Sequence, residues 1–385
     1  MPKTTMPPPG TLALSVTLLA CAGTTAAPAG PTSAHSSDAR PLPGPTAVAY
    51  TRGVPAGRLP GRAPDSAPEL SALWSTETAI RVPPVWSGRR MVVASSGGAV
   101  MGLAADGSAA WELDLGQHVV GLASDGAGGL LVTTRQGEVV ALGDDGRRRW
   151  SRSLGATSGA SAVLTADGRA YALADGLHAL DAQGQLLWQL PRVGGSRAGP
   201  AVIGELIVFG TQHGELVAVD RDGAVRWTLH VGAAVDSPPC AGPDGDILVG
   251  TDLGQLRSVS ASGELRWTTE LEGRISAAPS VGPDGRIAVV GGDHTLYYLD
   301  RSGKLLWRFV AGGALVAQPT IDAAGAILLA GRDNNLYLIE DSGAARWRTN
   351  VGHPIATPVV AAPDGTLHIG TDGGRLLSLR KRNIK

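Results

Sequence analysis

"GPDGDILVGTDLGQLRSVSASGELRW", Gly242 to Trp267, is followed forty residues later by "GPDGRIAVVGGDHTLYYLDRSGKLLW", Gly282 to Trp307. The two stretches share a Pro-Asp-Gly start, two apolar runs, a Ser-Gly turn and a closing tryptophan. Self-similarity at such a period marks a repeat architecture. Trp74, Trp111, Trp150, Trp188, Trp227, Trp267, Trp307 and Trp347 extend the pattern along the chain, at intervals of 37, 39, 38, 39, 40, 40 and 40 residues. Seven of them have a glycine four residues earlier (Gly107, Gly146, Gly184, Gly223, Gly263, Gly303 and Gly343), and Trp74 alone lacks it.

Each unit holds four short apolar runs of strand length. In the sixth they are Ala278–Val281, Ile287–Val290, Leu296–Leu299 and Leu305–Phe309. Asp284-Gly285 and Ser302-Gly303 separate the first run from the second and the third from the fourth, and Asp244-Gly245 and Asp364-Gly365 are equivalents. Such dipeptides supply the positive φ of a tight hairpin. Four antiparallel strands in about forty residues make a propeller blade. The C-terminal "LHIGTDGGRLLSLR" stops before its Trp strand, and the N-terminal "ALWSTETA" is a Trp strand with nothing before it. Together they complete an eighth blade. The expectation is an all-β, eight-bladed propeller, closed by pairing of its N-terminal strand with the C-terminal partial blade.

The 385 residues carry a formal net charge of −1, without the basic excess of a nucleic-acid binder. The start, "MPKTTMPPPGTLALSVTLLACAGTTAAPAG", has one lysine and a short apolar stretch from Thr11 to Ala20, too short to span a bilayer. It ends in Leu18-Leu19-Ala20-Cys21, which resembles the bacterial lipobox. That resemblance implies a signal peptide over 1–20, lipidation at Cys21 and, with Ala22 next, outer-membrane sorting. Residues 21–69 are rich in Pro, Ala, Gly, Ser and Thr and read as a disordered tether reaching roughly 35–40 Å. The propeller spans 70–380, and 381–385 form a basic tail.

"VAVDRDGAVRW", "YYLDRSGKLLW" and "HALDAQGQLLW" resemble the A-x-D-x-x-x-G-x-x-x-W unit of the quinoprotein-type (PQQ-like) β-propellers, from about Leu73 to Arg380. The resemblance implies that the eight periodic tryptophans dock neighbouring blades. One branch of that family comprises quinone-dependent dehydrogenases; another is non-catalytic and includes the propeller lipoprotein of the outer-membrane β-barrel assembly machinery. Fold alone does not choose between them. The vicinal Cys-Cys of many dehydrogenases is absent, because Cys240 has no mature partner in the chain. The acids recur at hairpin turns, and the units are nearly free of inserted loops. There is no G-x-S-x-G elbow, Walker A loop or H-E-x-x-H, and the eight histidines lack metal-ligand spacing. No catalytic residue, metal or cofactor is expected.

Turns between first and second and between third and fourth strands lie on one face of the ring, and are monotonous. The opposite face gathers the second-to-third turns and the blade-to-blade loops, which vary. Arg135, Arg197, His213, Asp236, Arg274, His294, Arg332 and His353 fall there, and are the candidate binding residues. Cys240 reads as a small buried hydrophobe. Trp86, the one tryptophan out of register, reads as a filler between blades. The expected function is that of a lipid-anchored, monomeric envelope scaffold that binds proteins, with the outer-membrane barrel assembly machinery as the partner the resemblance suggests. A quinone-dependent dehydrogenase and a glycan or small-ligand sensor using the central channel stand as alternatives.

Overall fold

The computed structural model describes residues 58–59, 61–191, 195–362 and 364–380. Eight four-stranded antiparallel sheets succeed one another as the blades of a closed propeller. Blade 1 consists of Val85–Ser87, Arg90–Ala94, Ala99–Leu103 and Ala109–Asp114. Blades 2 to 7 repeat that order over 119–153, 163–191, 201–230, 240–270, 280–310 and 320–350. Blade 8 takes Val360–Ala361, Leu367–Gly370 and Arg375–Arg380 from the C-terminus, and its outer strand, Glu69–Ser75, from the other end of the chain. The sixth unit holds its four expected strands; the innermost, Ser280–Val281, is shorter than expected, and Thr295–Leu299 and Leu305–Val310 are each one residue longer.

The alternation of buried and exposed residues explains this stacking. Second and third strands are buried on both faces, as in Ile287–Val290 and Thr295–Leu299. Such strands need cover on either side, which adjacent blades supply. Each apolar cluster accordingly straddles a boundary between blades. Val92, Ala94 and Val100 of blade 1 meet Leu122, Leu130 and Val132 of blade 2. Outer strands alternate instead, facing solvent at every second residue.

The repeated tryptophan and glycine form one device shared between two blades. The indole Nε1–H of Trp111, Trp150, Trp188, Trp227 and Trp307 donates to a carbonyl in the third-to-fourth turn of the next blade: Asp144, Ala182, Arg221, Ala261 and Asp341, at 2.8–2.9 Å. Each acceptor lies two residues before that turn's glycine, on which the ring rests. A methyl group on Gly223 would lie 2.7 Å from the Trp188 ring, and one on Gly303 would lie 2.5 Å from that of Trp267. The aspartate of the repeat fixes the turn, since Asp220 Oδ1 accepts from the Asp222 and Ala224 amides. A bulge in the last strand pair, opposite each tryptophan, aims the ring at its neighbour.

Two expectations are corrected at the closure. Trp74 does not occupy the docking position. Throughout the ring the docking tryptophan pairs with the fourth residue of the third strand, as Trp227 does with Ala218. In blade 8 that residue is Ser378, and its partner is Ser71. Trp74 pairs with Leu376 instead, where Leu229 stands in blade 4, and is buried against Ile80, Met91 and Leu103. The tether also ends earlier than residue 69. Leu59 and Ala63 are buried in the cluster of blades 7 and 8. The Leu59 amide donates to Ile321 O (2.8 Å), the Ala63 amide to Asp322 Oδ2 (2.8 Å), and Asp65 pairs with Arg346 (3.0 Å). Pro64 O accepts the Trp347 indole N–H at 2.8 Å, so this stretch stands in for the turn that blade 8 lacks. The rest of the expected tether, the signal peptide, Cys21 and the basic tail lie outside the described residues.

Two outcomes follow. Gly223 has φ +88 beneath an indole, whereas Gly232 has φ +73 with nothing within 4 Å. Gly223→Ala is expected to destabilise by about 2–4 kcal/mol, from backbone strain plus overlap, and Gly232→Ala by about 1 kcal/mol, from strain alone; denaturant titration compares them. Deleting Leu73–Thr78 removes the end of the closing strand and is expected to lower Tm by at least ~5 °C, as read by a thermal melt against the intact chain.

Candidate functional site

A channel of about 1140 Å³ runs along the ring axis. Its walls are first-strand residues and the prolines beside them, among them Pro238, Pro239, Pro279 and Pro358. These prolines sit where the chain enters an innermost strand, a position with no inner neighbour to receive a backbone N–H. At the hairpin end, Arg58 forks onto Val281 O (Nε, 2.5 Å) and Gly282 O (Nη2, 2.7 Å). At the loop end stand Arg81, Arg197 and Asp236.

The loop face carries two ionic clamps. In one, the Asp236 carboxylate, with its side chain only 3% exposed, is gripped at Oδ2 by Arg197 (3.2 Å) and Arg274 (3.1 Å), from the loops on either side of its own. Arg274 also reaches Asp252, at 3.5 Å. In the other, Asp372 is held between Arg81 (2.8 Å) and Arg332. Both clamps sink an acid beneath two arginines whose own side chains stay substantially exposed. The acids lock loop geometry, and guanidinium surface is left for a partner.

Tyrosines brace the same face. The Tyr297 hydroxyl donates to Asp293 (2.5 Å) and accepts the Glu272 amide (3.2 Å), tying a strand turn to a blade-to-blade loop. Burial and the adjoining Asp293 push that phenol up to about 12. Tyr337 bonds Asp333 in the same way and accepts the Gly312 amide at 3.2 Å. Burial works against the Asp333 carboxylate, but hydrogen bonds from Tyr337 and Asn335 hold it below the usual range.

The structure therefore brings together Arg197, Asp236 and Arg274, and joins Arg332 to a second cluster. Arg135 and His213 are exposed at separate strand turns. His294 takes the left-handed turn position (φ +68) that Gly254 fills one blade earlier. The His353 ring covers Gly373, where a methyl group would come within 2.5 Å. Arg81, Asp252 and Asp372 were missed, although register could have found them. Asp252 and Asp372 hold the turn position of Arg332, and Arg81 follows Ile80 as Asp236 follows Val235. Trp86 is half-buried between blades 1 and 8, its ring 6.4 Å from His368, and it also lines the channel. Cys240 is half-buried in the channel wall rather than fully buried, and burial pushes its thiol up to about 12.

The family described as outer membrane protein assembly factor BamB matches residues 98–239, 221–336 and 252–383. The chain belongs to this family. Among solved structures, BamB from Moraxella catarrhalis superposes with a TM-score of 0.69 at 21% identity, covering 82% of this chain and 99% of that one. The computationally designed protein Ika8 gives 0.70 at 14%, with 81% and 99% covered. The quinohemoprotein alcohol dehydrogenase from Comamonas testosteroni gives 0.69 at 12%, with 85% and 79% covered. At these identities the likenesses show the fold. No curated protein matches the chain.

The dehydrogenase alternative implied by the family resemblance would require a quinone held with a cation such as Ca²⁺, which can be tested against the residues of this ring. Such a cation needs carboxylates that can turn towards it. Each aspartate lining the channel is instead engaged by arginine: Asp236 as above, Asp244 by Arg301 (2.6 Å) and Asp284 by Arg286 (3.2 Å). Among the described residues, no group of three or more His, Cys, Asp or Glu comes together as a metal site. The residues present do not fit the cofactor.

The raised Cys240 thiol gives a pH signature. Folded chain holds the proton that unfolded chain releases near pH 8.5, so stability present below that pH falls as pH rises towards 12. Cys240 is expected to resist alkylation at pH 8 until the chain is unfolded, and Cys240→Ser to flatten the alkaline loss. Timed iodoacetamide labelling and denaturant titrations at pH 8 and 10 check both.

Proposed function

We propose that this chain is a non-catalytic protein-binding scaffold of the bacterial cell envelope, anchored through lipid on Cys21 at the outer membrane, and that it serves outer-membrane protein assembly through its loop face. The observation that carries the reading is the match of residues 98–383 to the assembly-factor family. The two arginine clamps support the choice of face. A rigid ring with paired, partly exposed guanidiniums on braced loops suits a partner surface bearing carboxylates. The pairing of every channel-lining aspartate with arginine speaks against the dehydrogenase alternative.

The test is crosslinking in the native envelope, followed by purification and mass spectrometry. The variant combines Arg197→Ala, Arg274→Ala and Arg332→Ala with Asp236→Asn, so that no buried carboxylate is left without its cations. Barrel-assembly components are expected with the native chain, and their recovery is expected to drop at least tenfold with the variant. Their absence from the native sample overturns the scaffold role, and undiminished recovery with the variant overturns the face.

A further inference from the structure

Seven of the eight boundaries between blades are filled by a docking tryptophan. The eighth, from blade 8 to blade 1, is not. Ser71 stands at the docking position, and Leu73 covers Gly107 where an indole would lie, its Cδ2 3.0 Å from the place of a methyl group on that glycine. The receiving turn is otherwise intact. Ala105 lies two residues before Gly107, the relation that Asp144 bears to Gly146 and Arg221 to Gly223, and both of those carbonyls accept an indole N–H. Ala105 and Gly107 border a cavity of about 340 Å³, enclosed further by Leu73, Trp86, Leu103 and Ser378.

The cavity walls carry two polar atoms without partners. Ser378 is 1% exposed and its Oγ finds no hydrogen-bond partner among the described residues, nor does the buried Trp86 Nε1–H find an acceptor among them. Buried donors and acceptors are rarely left so, and an orphaned one marks a missing partner. The hydroxyl can accept from an N–H, and the Trp86 N–H needs a carbonyl. An aromatic ring with an N–H donor and a neighbouring carbonyl satisfies both, and a tryptophan residue in a peptide has these three features. None is left over in this chain: besides Trp86, the other eight tryptophans are placed at Trp74 and at the seven filled boundaries.

We propose that the boundary between blades 8 and 1 is a receptor for an exposed tryptophan of another protein, which inserts its indole into the cavity beside Leu73, at the one boundary where the ring's own repeat supplies none. The proposal is independent of the loop-face reading, because this slot opens among the hairpin turns of the opposite face.

N-acetyl-tryptophanamide, titrated into the full mature chain and followed by NMR, tests it. Binding is expected with shifts confined to residues around Gly107 and Ser378, and the N-methylindole analogue is expected to bind at least ~5-fold more weakly, from the lost hydrogen bond. Ser71→Trp fills the slot from within and is expected to abolish binding and to raise Tm; Ser71→Phe, which fills it without an N–H, is also expected to abolish binding and covers failure of the first variant to fold. Absence of binding overturns the proposal, as does equal binding by a folded slot-filled variant.

Discussion

The contact on which the ring depends is a tryptophan lying on a glycine of the next blade. It meets two demands at once. The ring covers apolar surface at the rim, where the blades diverge and aliphatic side chains are too short to fill the gap. Its N–H also satisfies a turn carbonyl that has no strand partner. The glycine follows from the tryptophan, because Cα must approach a flat ring closely and any side chain would intervene. The aspartate follows from the glycine, since its carboxylate holds the turn that presents both. Three residues of the repeat are thus one interaction seen from different sides, and blades otherwise free to differ inherit a common angle from it.

A scaffold fixed in this way can carry variation elsewhere without strain. On the hairpin face the turns are committed to docking and look alike. On the loop face nothing comparable constrains sequence, and there the arginines of neighbouring loops converge on Asp236 and Asp372. These clamps cross blade boundaries, as the tryptophans do, but by charge instead of shape. A partner that engages their outward guanidinium edges would therefore meet elements rigid on both sides of each boundary, with little ordering cost at the contact.

The blade count and the closure were legible because a forty-residue period repeats residues whose chemistry is specific: glycine at a turn, tryptophan at a fixed distance. The interval of 37 between Trp74 and Trp111 already broke that period, and counting back forty from Trp111 lands on Ser71, the true docking position. Composition alone hid the packing of Arg58, Leu59 and residues 61–68 against the ring, since Pro, Ala and Gly read as linker. Their backbone groups nevertheless find partners on blade 7, and Leu59 finds a pocket. Individual candidates on the loop face were visible as residue types, but their grouping was not. Whether Arg197 meets Asp236 while Arg135 stands apart depends on loop paths that hydrophobic periodicity does not encode.

The eighth blade is made from both ends of the chain, Ser75 pairing with Arg375. Its outer strand is among the first parts of the ring to be synthesised, and its three partners are the last. Until the C-terminus emerges, the first segment must wait with its hydrogen-bonding edge uncovered, and the seven finished blades form an open arc with two raw flanks. Completion is then a single late event that locks every blade at once. A chain truncated near its end, or halted before its final strands, would present open edges instead of a ring, in a form quality-control proteases could recognise.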